Sequence, residues 1–475
     1  MQPSRWTSQA LIALLTGVAL WYGGSLALVG LAAMFHMNWE NSGYGDCRVD
    51  WGAARLFLEH RSPYTEDGLA SMGIGFYGFG HPPTTSFWFL PFAKMGYPLM
   101  SEILAILVVI SLLFHLIVCV NELDLPMKAG IVAVVFGWLL GTSWMIEHVH
   151  IVQVSEIIAF MYVLAWYYLR RDREIVAGII LGLACTFKLF PGVTVLFLFL
   201  TRRFRGVLAA CAAYLPVAVI MTRGFGTESW KLFLQQQAPM VQYWAGDVRN
   251  SSVVGVTYHL LRPLCEYPMM RATWPEQKIR ELPHTTPPEV MWGTVLSLVL
   301  LAVLWLASRR AARSRATIDV PFAIFSAASP FVNVWVWEHY YPILIMPALV
   351  VAAAIWRRLG DVWRSLGAAP LAGSGWRKEI GPLVGCLGLA SGLWLLVKVL
   401  TIPMLKKQEL YGQYWALKNA HQPVPSSLHR ELHWLEVANW LPWALVIALL
   451  VVVVRLRWGS SQGARRLPGV PLGVR

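Results

Sequence analysis

The chain is a succession of long apolar blocks separated by short polar runs. Leu, Val, Ile and Ala fill the blocks without the period-2 alternation of a membrane barrel strand, so each block is predicted helical. A helix that crosses a hydrocarbon core needs about 20 apolar residues. Blocks near this length fall at about 9–35, 98–121, 128–146, 151–169, 206–222, 290–308, 318–336, 340–356, 381–402 and 437–455. The first is too long for a signal peptide and is read as a retained helix. The pattern predicts an all-α polytopic membrane bundle of about 10–12 transmembrane segments, with short juxtamembrane helices on its outer face. It forms one domain over 1–456, followed by a polar, basic tail at 457–475 that reads as disordered and cytoplasmic.

The basic runs set the path. Arg170-Arg171-Asp172-Arg173, Arg202-Arg203-Phe204-Arg205, Arg309 to Arg315, Arg357 to Arg364 and the tail after Arg455 are placed inside, where excess Lys and Arg accumulate. The N-terminus then starts inside, and 36–83, 223–289 and 403–436 become outer loops. The first of these sets Arg48, Arg55 and Arg61 against Glu40, Asp46, Asp50, Glu59, Glu66 and Asp67, a composition suited to an outer loop.

One stretch breaks the pattern. Basic runs flank 174–201 on both sides, so an even number of crossings must lie between them, yet there is room only for two half-helices. Its centre reads Phe187-Lys188-Leu189-Phe190-Pro191-Gly192. A broken or re-entrant pair is expected, with Lys188 near its outer tip. Irregular backbone at membrane depth is tolerated where it lines a cavity or is buried in protein.

Composition changes this picture little. The chain is 57% hydrophobic and only 14% charged, against about 25% charged in soluble domains. The net charge of +13 would suggest nucleic acid in a soluble protein, but here topology accounts for it. The Cys residues lack metal-ligand spacing, and Cys47 and Cys265, in outer loops, can pair where those loops face an oxidising compartment. No phosphate-binding loop, dinucleotide fingerprint or zinc motif is present. No repeat of the kind seen in transporters is visible.

The candidate chemistry gathers on the outer side. Val49, Ala53, Leu56 and Phe57 give one apolar face to a short helix expected on the outer interface, with Asp46 at its start as a base or simply an N-cap. Asp50 follows on the next turn. His81-Pro82-Pro83 forces an extended entry to the next apolar stretch. Glu147, His148 and His150 stand at a membrane mouth, suited to proton transfer or to solvating a helix end. Glu156 lies within a predicted span, where an ionisable group is functional by default, or a structural partner for Lys188. Asn250-Ser251-Ser252 reads as a helix cap, and Glu338-His339-Tyr340-Tyr341-Pro342 ends a span. An acid, imidazoles and a buried Lys suit transfer from an anionic donor, with Asp as base and the cations on a departing phosphate. The residues alone leave open a secondary transporter or lipid flippase, built on the break at Lys188 and on Glu156. They also leave open a scaffold in envelope polysaccharide assembly.

The order of these residues resembles the bacterial polyprenyl-phosphate-sugar-dependent glycosyltransferases of glycosyltransferase family 87, which have the GT-C fold. The resemblance covers about 40–350. It rests on Asp46, Asp50-Trp51, Ala53-Ala54 and Ser62-Pro63-Tyr64, on His81-Pro82-Pro83, and on Val152-Gln153-Val154-Ser155. It continues through Lys188-Leu189-Phe190-Pro191, Arg202-Arg203, Asn250-Ser251-Ser252, Ser329-Pro330 and Trp337-Glu338-His339. The sequence departs from the family where Asp50 replaces an aromatic, Ser155 an Asn, and Glu338-His339-Tyr340 a His pair. The resemblance implies Asp46 as general base and Lys188 and His339 on the donor phosphate. It puts Asp50, His81, Asn250 and Gln153 on the cavity wall or against the acceptor. It further implies a polyprenyl-phosphate sugar donor, most often mannose, a lipid-linked or glycan acceptor, and inverting transfer without metal or cofactor. The enzyme would sit in a bacterial inner membrane among its lipids, with its site on the outer face and no nucleic-acid partner.

Overall fold

The computed structural model describes residues 5–40, 47–65, 67–74, 80–125, 128–245, 250–261, 288–313, 317–334, 336–367 and 443–452, with scattered positions at 409–431 and at 454. Asp46, Cys265, the expected span at 381–402 and the tail at 457–475 lie outside the described residues.

All regular structure among the described residues is helical. Long helices form the frame: α1 (Arg5–Glu40), α3 (Tyr97–Glu122), α9 (Phe204–Phe225), α12 (Pro288–Ser308) and α14 (Ile345–Gly367). Shorter ones fill it: α2 (Cys47–Leu58), α4 (Lys128–Leu140), α5 (Ser143–His150), α6 (Ser155–Leu169), α7 (Glu174–Phe187) and α8 (Gly192–Leu200). So do α10 (Glu228–Ala245), α11 (Val253–Leu261), α13 (Asp319–Phe331) and α15 (Trp443–Val452). Two 3₁₀ segments, Pro83–Phe92 and Glu338–Leu344, complete the core.

Five helical stretches are long and apolar enough to cross a membrane, and four shorter helices are apolar. Trp21, Leu28 and Val29 on α1, Leu208 and Leu215 on α9, and Met291, Trp292 and Leu298 on α12 are all exposed. In water such belts would aggregate, whereas in a bilayer they face lipid. The chain is thus a multi-pass membrane protein. The blocks predicted at 128–146 and 318–336 as single spans are shorter in the structure. The first divides at Gly141-Thr142 into α4 and α5. The second ends at Phe331, and every residue of α13 is buried, so this helix meets protein on all sides and no lipid.

Small residues permit the closest packing. Gly178 and Gly182 of α7 lie directly on the backbone of Gly206 and Ala210 of α9, and a Cβ at either glycine would strike those carbonyls. Four-residue spacing of small residues is a common way for membrane helices to approach. Gly23 of α1 and Gly137 of α4 meet in the same way. At one end of the bundle an ion-pair network ties four helices. Arg171 grips both carboxylate oxygens of Glu122 at 2.8 and 3.1 Å. Arg170 reaches Asp319 at 3.6 Å, Trp166 donates to Asp319 at 3.0 Å, and Arg357 donates to the Leu123 carbonyl at 2.9 Å.

The helix expected to lie on the outer interface is more deeply held than its pattern suggests. Ala53 and Leu56 pack with Val217, Met221 and Phe225 of α9, as the apolar face requires. The opposite face, with Cys47, Trp51 and Ala54, joins the main core. A face of small residues and one Trp reads as weakly apolar in sequence, yet it permits close packing on both sides of α2.

Candidate active site

The break between α7 and α8 organises the site. α7 ends at Phe187, Lys188 is extended, and α8 begins at Gly192 after Pro191. The orphan carbonyls that end a helix need partners. Thr85 Oγ1 donates to the Phe187 carbonyl at 2.7 Å, and Trp88 Nε1 donates to Thr186 Oγ1 at 2.8 Å. The Trp88 ring stacks on Phe187 at 4.4 Å. The 3₁₀ segment after His81-Pro82 therefore repairs the break, and it starts from Pro82 in the extended conformation that two prolines impose.

The Lys188 side chain turns inward and is 6% exposed, whereas the neighbouring Leu189 is 52% exposed. Its ammonium donates to Gln153 Oε1 at 3.1 Å and to the Tyr340 hydroxyl at 2.9 Å, and it sits 4.5 Å from the Tyr340 ring centroid. These partners are neutral, and no described carboxylate forms an ion pair with it. A buried charge without a counterion costs free energy unless a ligand supplies one. Glu156 is not that counterion: its Oε1 accepts from His115 Nδ1 at 3.0 Å, and both side chains are fully buried.

Two strained or bridged segments deliver the partners. Val152 has φ 53°, rare for a β-branched residue, and this turn points Gln153 at Lys188. The Cys47 thiol donates to the Val152 carbonyl, which ties the start of α2 to the same turn. His148, at the end of α5, donates from Nδ1 to the His339 carbonyl at 3.0 Å. Its own carbonyl accepts from the Gln153 amide at 2.9 Å. Burial foremost, with Lys188 nearby, lowers the His148 pKa to about 3 although the hydrogen bond to His339 opposes this. His339 is itself buried, its ring 4.7 Å from that of Tyr340.

Asn250 serves this assembly from behind. Its Nδ2 donates to the carbonyls of Trp244 and Val334 at 3.1 and 3.0 Å. Its Oδ1 accepts from the amides of Ser252 and Val336, both at 3.0 Å. The side chain expected on the cavity wall is thus spent on backbone, buckling the start of α11 to the strand-like stretch before His339. Gly255 leaves room for it, since a Cβ there would lie 2.6 Å from Asn250 Cγ. Asp50 and His81 meet each other, Oδ1 to Nδ1 at 2.8 Å. The Tyr64 hydroxyl donates to the His81 carbonyl at 2.6 Å, and burial with Asp50 nearby pushes its pKa well up, so it stays a donor.

The structure therefore joins Lys188 to Gln153 and to Tyr340, whose ring lies against His339, and brings in His148, which the sequence offered for proton transfer or for solvating a helix end. Asp50 stands on α2, and His81 just precedes the 3₁₀ segment; these two elements reach the site through Cys47 and Thr85. Asp46 lies outside the described residues, one position before the start of α2.

A multi-pass helical bundle with a buried lysine, without an ion pair among the described residues, at a helix break suits a membrane enzyme or carrier for an anionic substrate. Comparison decides between them: the profile of glycosyltransferase family 87 matches residues 79–330, more than half of the chain, and the chain belongs to that family. It is a membrane glycosyltransferase. Among curated relatives is a polyprenol-phosphate-mannose-dependent alpha-(1-2)-phosphatidylinositol mannoside mannosyltransferase of Mycolicibacterium smegmatis. It is 25% identical over 379 residues, covering 74% of this chain and 80% of its own. A protein of the same description from Mycobacterium tuberculosis is 23% identical over 360 residues, covering 70% of this chain and 77% of its own.

Proposed function

We propose that this protein transfers mannose from a polyprenyl-phosphate donor to a lipid-linked or glycan acceptor on the outer face of a bacterial inner membrane, its N-terminus being cytoplasmic. The buried Lys188 ammonium with neutral partners carries the reading, because it suits one phosphate group. The printed descriptions of the two relatives supply the sugar and the class of donor. Their acceptor is a phosphatidylinositol mannoside, and a mannosylated lipid is the first acceptor to try here.

The reaction is a single displacement with inversion at the anomeric carbon. Asp46 takes the proton of the acceptor hydroxyl as its oxygen bonds to that carbon. The bond from the anomeric carbon to the phosphate oxygen breaks, and polyprenyl phosphate departs with the electron pair. The leaving phosphate gains negative charge as it departs, so Lys188, with His339 beside it, holds it more tightly in the transition state than in the ground state. Asp50, His81 and Gln153 shape the wall around the reacting groups. The reading of Asp46 as base rests on the motif, and its described neighbour Cys47 is bonded to the Val152 carbonyl, one residue from Gln153.

The test uses the purified full chain, radiolabelled polyprenyl-phosphate mannose and a membrane lipid extract. Wild type is expected to transfer label. Asp46→Asn, folded by thermal denaturation, is expected to lose at least a hundredfold. Full activity in Asp46→Asn removes it as the base, and an inert wild type removes the mannosyl reading.

A further inference from the structure

Tyr340 touches both groups placed on the donor phosphate, and no step above uses it. Its hydroxyl accepts from the Lys188 ammonium at 2.9 Å, and its ring lies 4.7 Å from the His339 ring. Phe190, two residues beyond Lys188 in the same break, meets the Tyr340 ring in a T-shaped contact at 5.3 Å. The 3₁₀ segment Glu338–Leu344 carries the side chain, its first turn closed by the Tyr340 amide on the Trp337 carbonyl at 3.0 Å. The residue is buried, so packing on both sides fixes where the phenol oxygen stands.

A Lys stem is flexible, and an ammonium carries three N–H donors on a tetrahedral nitrogen. Tyr340 and Gln153 take two of them. With the bond to Cε also in place, the third N–H has a single direction. Both acceptors are neutral. They hold the ammonium without cancelling its charge, whereas a carboxylate in either place would hold it and cancel it. Donors set in advance need no rearrangement as charge develops on a leaving group.

Resting on the donor reading above, we propose that Tyr340, with Gln153, is a positioning residue, whose hydroxyl aims the Lys188 ammonium at the departing phosphate and leaves its charge free to act. The competing role is packing alone, a ring wedged between Phe190 and His339. Tyr340→Phe separates the two, because it keeps the ring and removes one oxygen.

The experiment is a double-mutant cycle on the full-length protein, with kcat and KM measured for polyprenyl-phosphate mannose and a membrane lipid extract as acceptor. Tyr340→Phe is expected to lower kcat about fivefold, the worth of one hydrogen bond, and to leave KM within about twofold. Added to Lys188→Met, the same change is expected to move kcat/KM by less than about twofold, because the group it positions is gone. A Tyr340→Phe protein with wild-type kcat refutes the inference. A loss that multiplies in full with that of Lys188→Met also refutes it, since the hydroxyl then acts other than through the lysine. Should Tyr340→Phe fail to fold, Gln153→Met removes the other acceptor from a different segment and carries the same cycle, and full multiplication there refutes the arrangement. A wild type that transfers no mannose refutes the donor reading and this inference together, whereas an active wild type with independent losses refutes this inference alone.

Discussion

Replacing Lys188 with Met separates a ligand-binding lysine from a structural one, because the two roles predict opposite signs for stability. Met is close in length and leaves no cavity of consequence. On the activity side, the variant loses a charge-assisted hydrogen bond to phosphate, worth about 1.5–3 kcal/mol. That corresponds to a fall of about 10- to 150-fold in kcat/KM. Because the phosphate charge grows as the bond breaks, the loss falls mainly on kcat. On the stability side, the ammonium is buried against Gln153 and Tyr340 with no described carboxylate paired to it. Replacing buried ions by apolar groups is often neutral or stabilising by about 1–4 kcal/mol. The Tyr340 hydroxyl and Gln153 Oε1 touch the same ammonium and can bond one another once it is gone. Thermal unfolding in detergent should therefore show an unchanged or higher midpoint. Saturating polyprenyl phosphate should stabilise the wild type by about 2.7 kcal/mol at a hundred times Kd, raising its midpoint, and move the variant much less. A variant that unfolds several degrees earlier, or that keeps activity within threefold, refutes the reasoning that makes Lys188 a phosphate anchor.

Two further outcomes follow from the same geometry. Asn250→Ala strands three backbone groups, those of Trp244, Ser252 and Val336, while the Val334 carbonyl keeps its bond from Ser252 Oγ, and should cost about 2–4 kcal/mol in thermal or denaturant unfolding; a loss below about 1 kcal/mol would show that the buckle is not needed. His148 lies in the eight-residue α5, too short to span, and its pKa falls from 6.5 to about 3 on folding. Between those values the unfolded chain binds the extra proton, so stability is full above pH 6.5 and is lost as pH falls towards 3, by up to about 5 kcal/mol. The unfolding midpoint of His148→Asn should depend less on pH across this window, and equal slopes would remove His148 as the source.

Much of the architecture could be read from the chain because lipid imposes a single strong rule on helices. The apolar blocks of α1, α3, α9 and α12 match helices within a few residues. The parity argument at 174–201 found the break at Lys188 because two Arg runs constrain what lies between them. Where the reading failed, polarity was the wrong guide. α13 is short and wholly buried, and nothing in its apolar sequence distinguishes protein from lipid as its neighbour. α2 packs on both faces because Ala and Gly are inconspicuous in an apolar pattern. The contacts of the site could not be read at all. Tyr340 reaches Lys188 across 152 residues of sequence and His148 reaches His339 across 191, distances over which spacing carries no information.

The motif residues divide by how they treat backbone. Each segment that delivers a side chain to the site is irregular, and irregular backbone at membrane depth must have its polar groups met internally. Thr85 meets the carbonyl of Phe187, Cys47 that of Val152, and Asn250 with Ser252 those of Trp244 and Val334. These are repairs, and they fix the positions of 152–153, 188 and 336–340 relative to one another. Lys188 repairs nothing: it brings a charge into the interior and spends it on neutral side chains. His148 belongs with the repairs, bonding the His339 carbonyl with Nδ1. A fold that meets these carbonyls internally and still buries an ammonium among neutral side chains leaves Lys188 as the group suited to an anionic ligand.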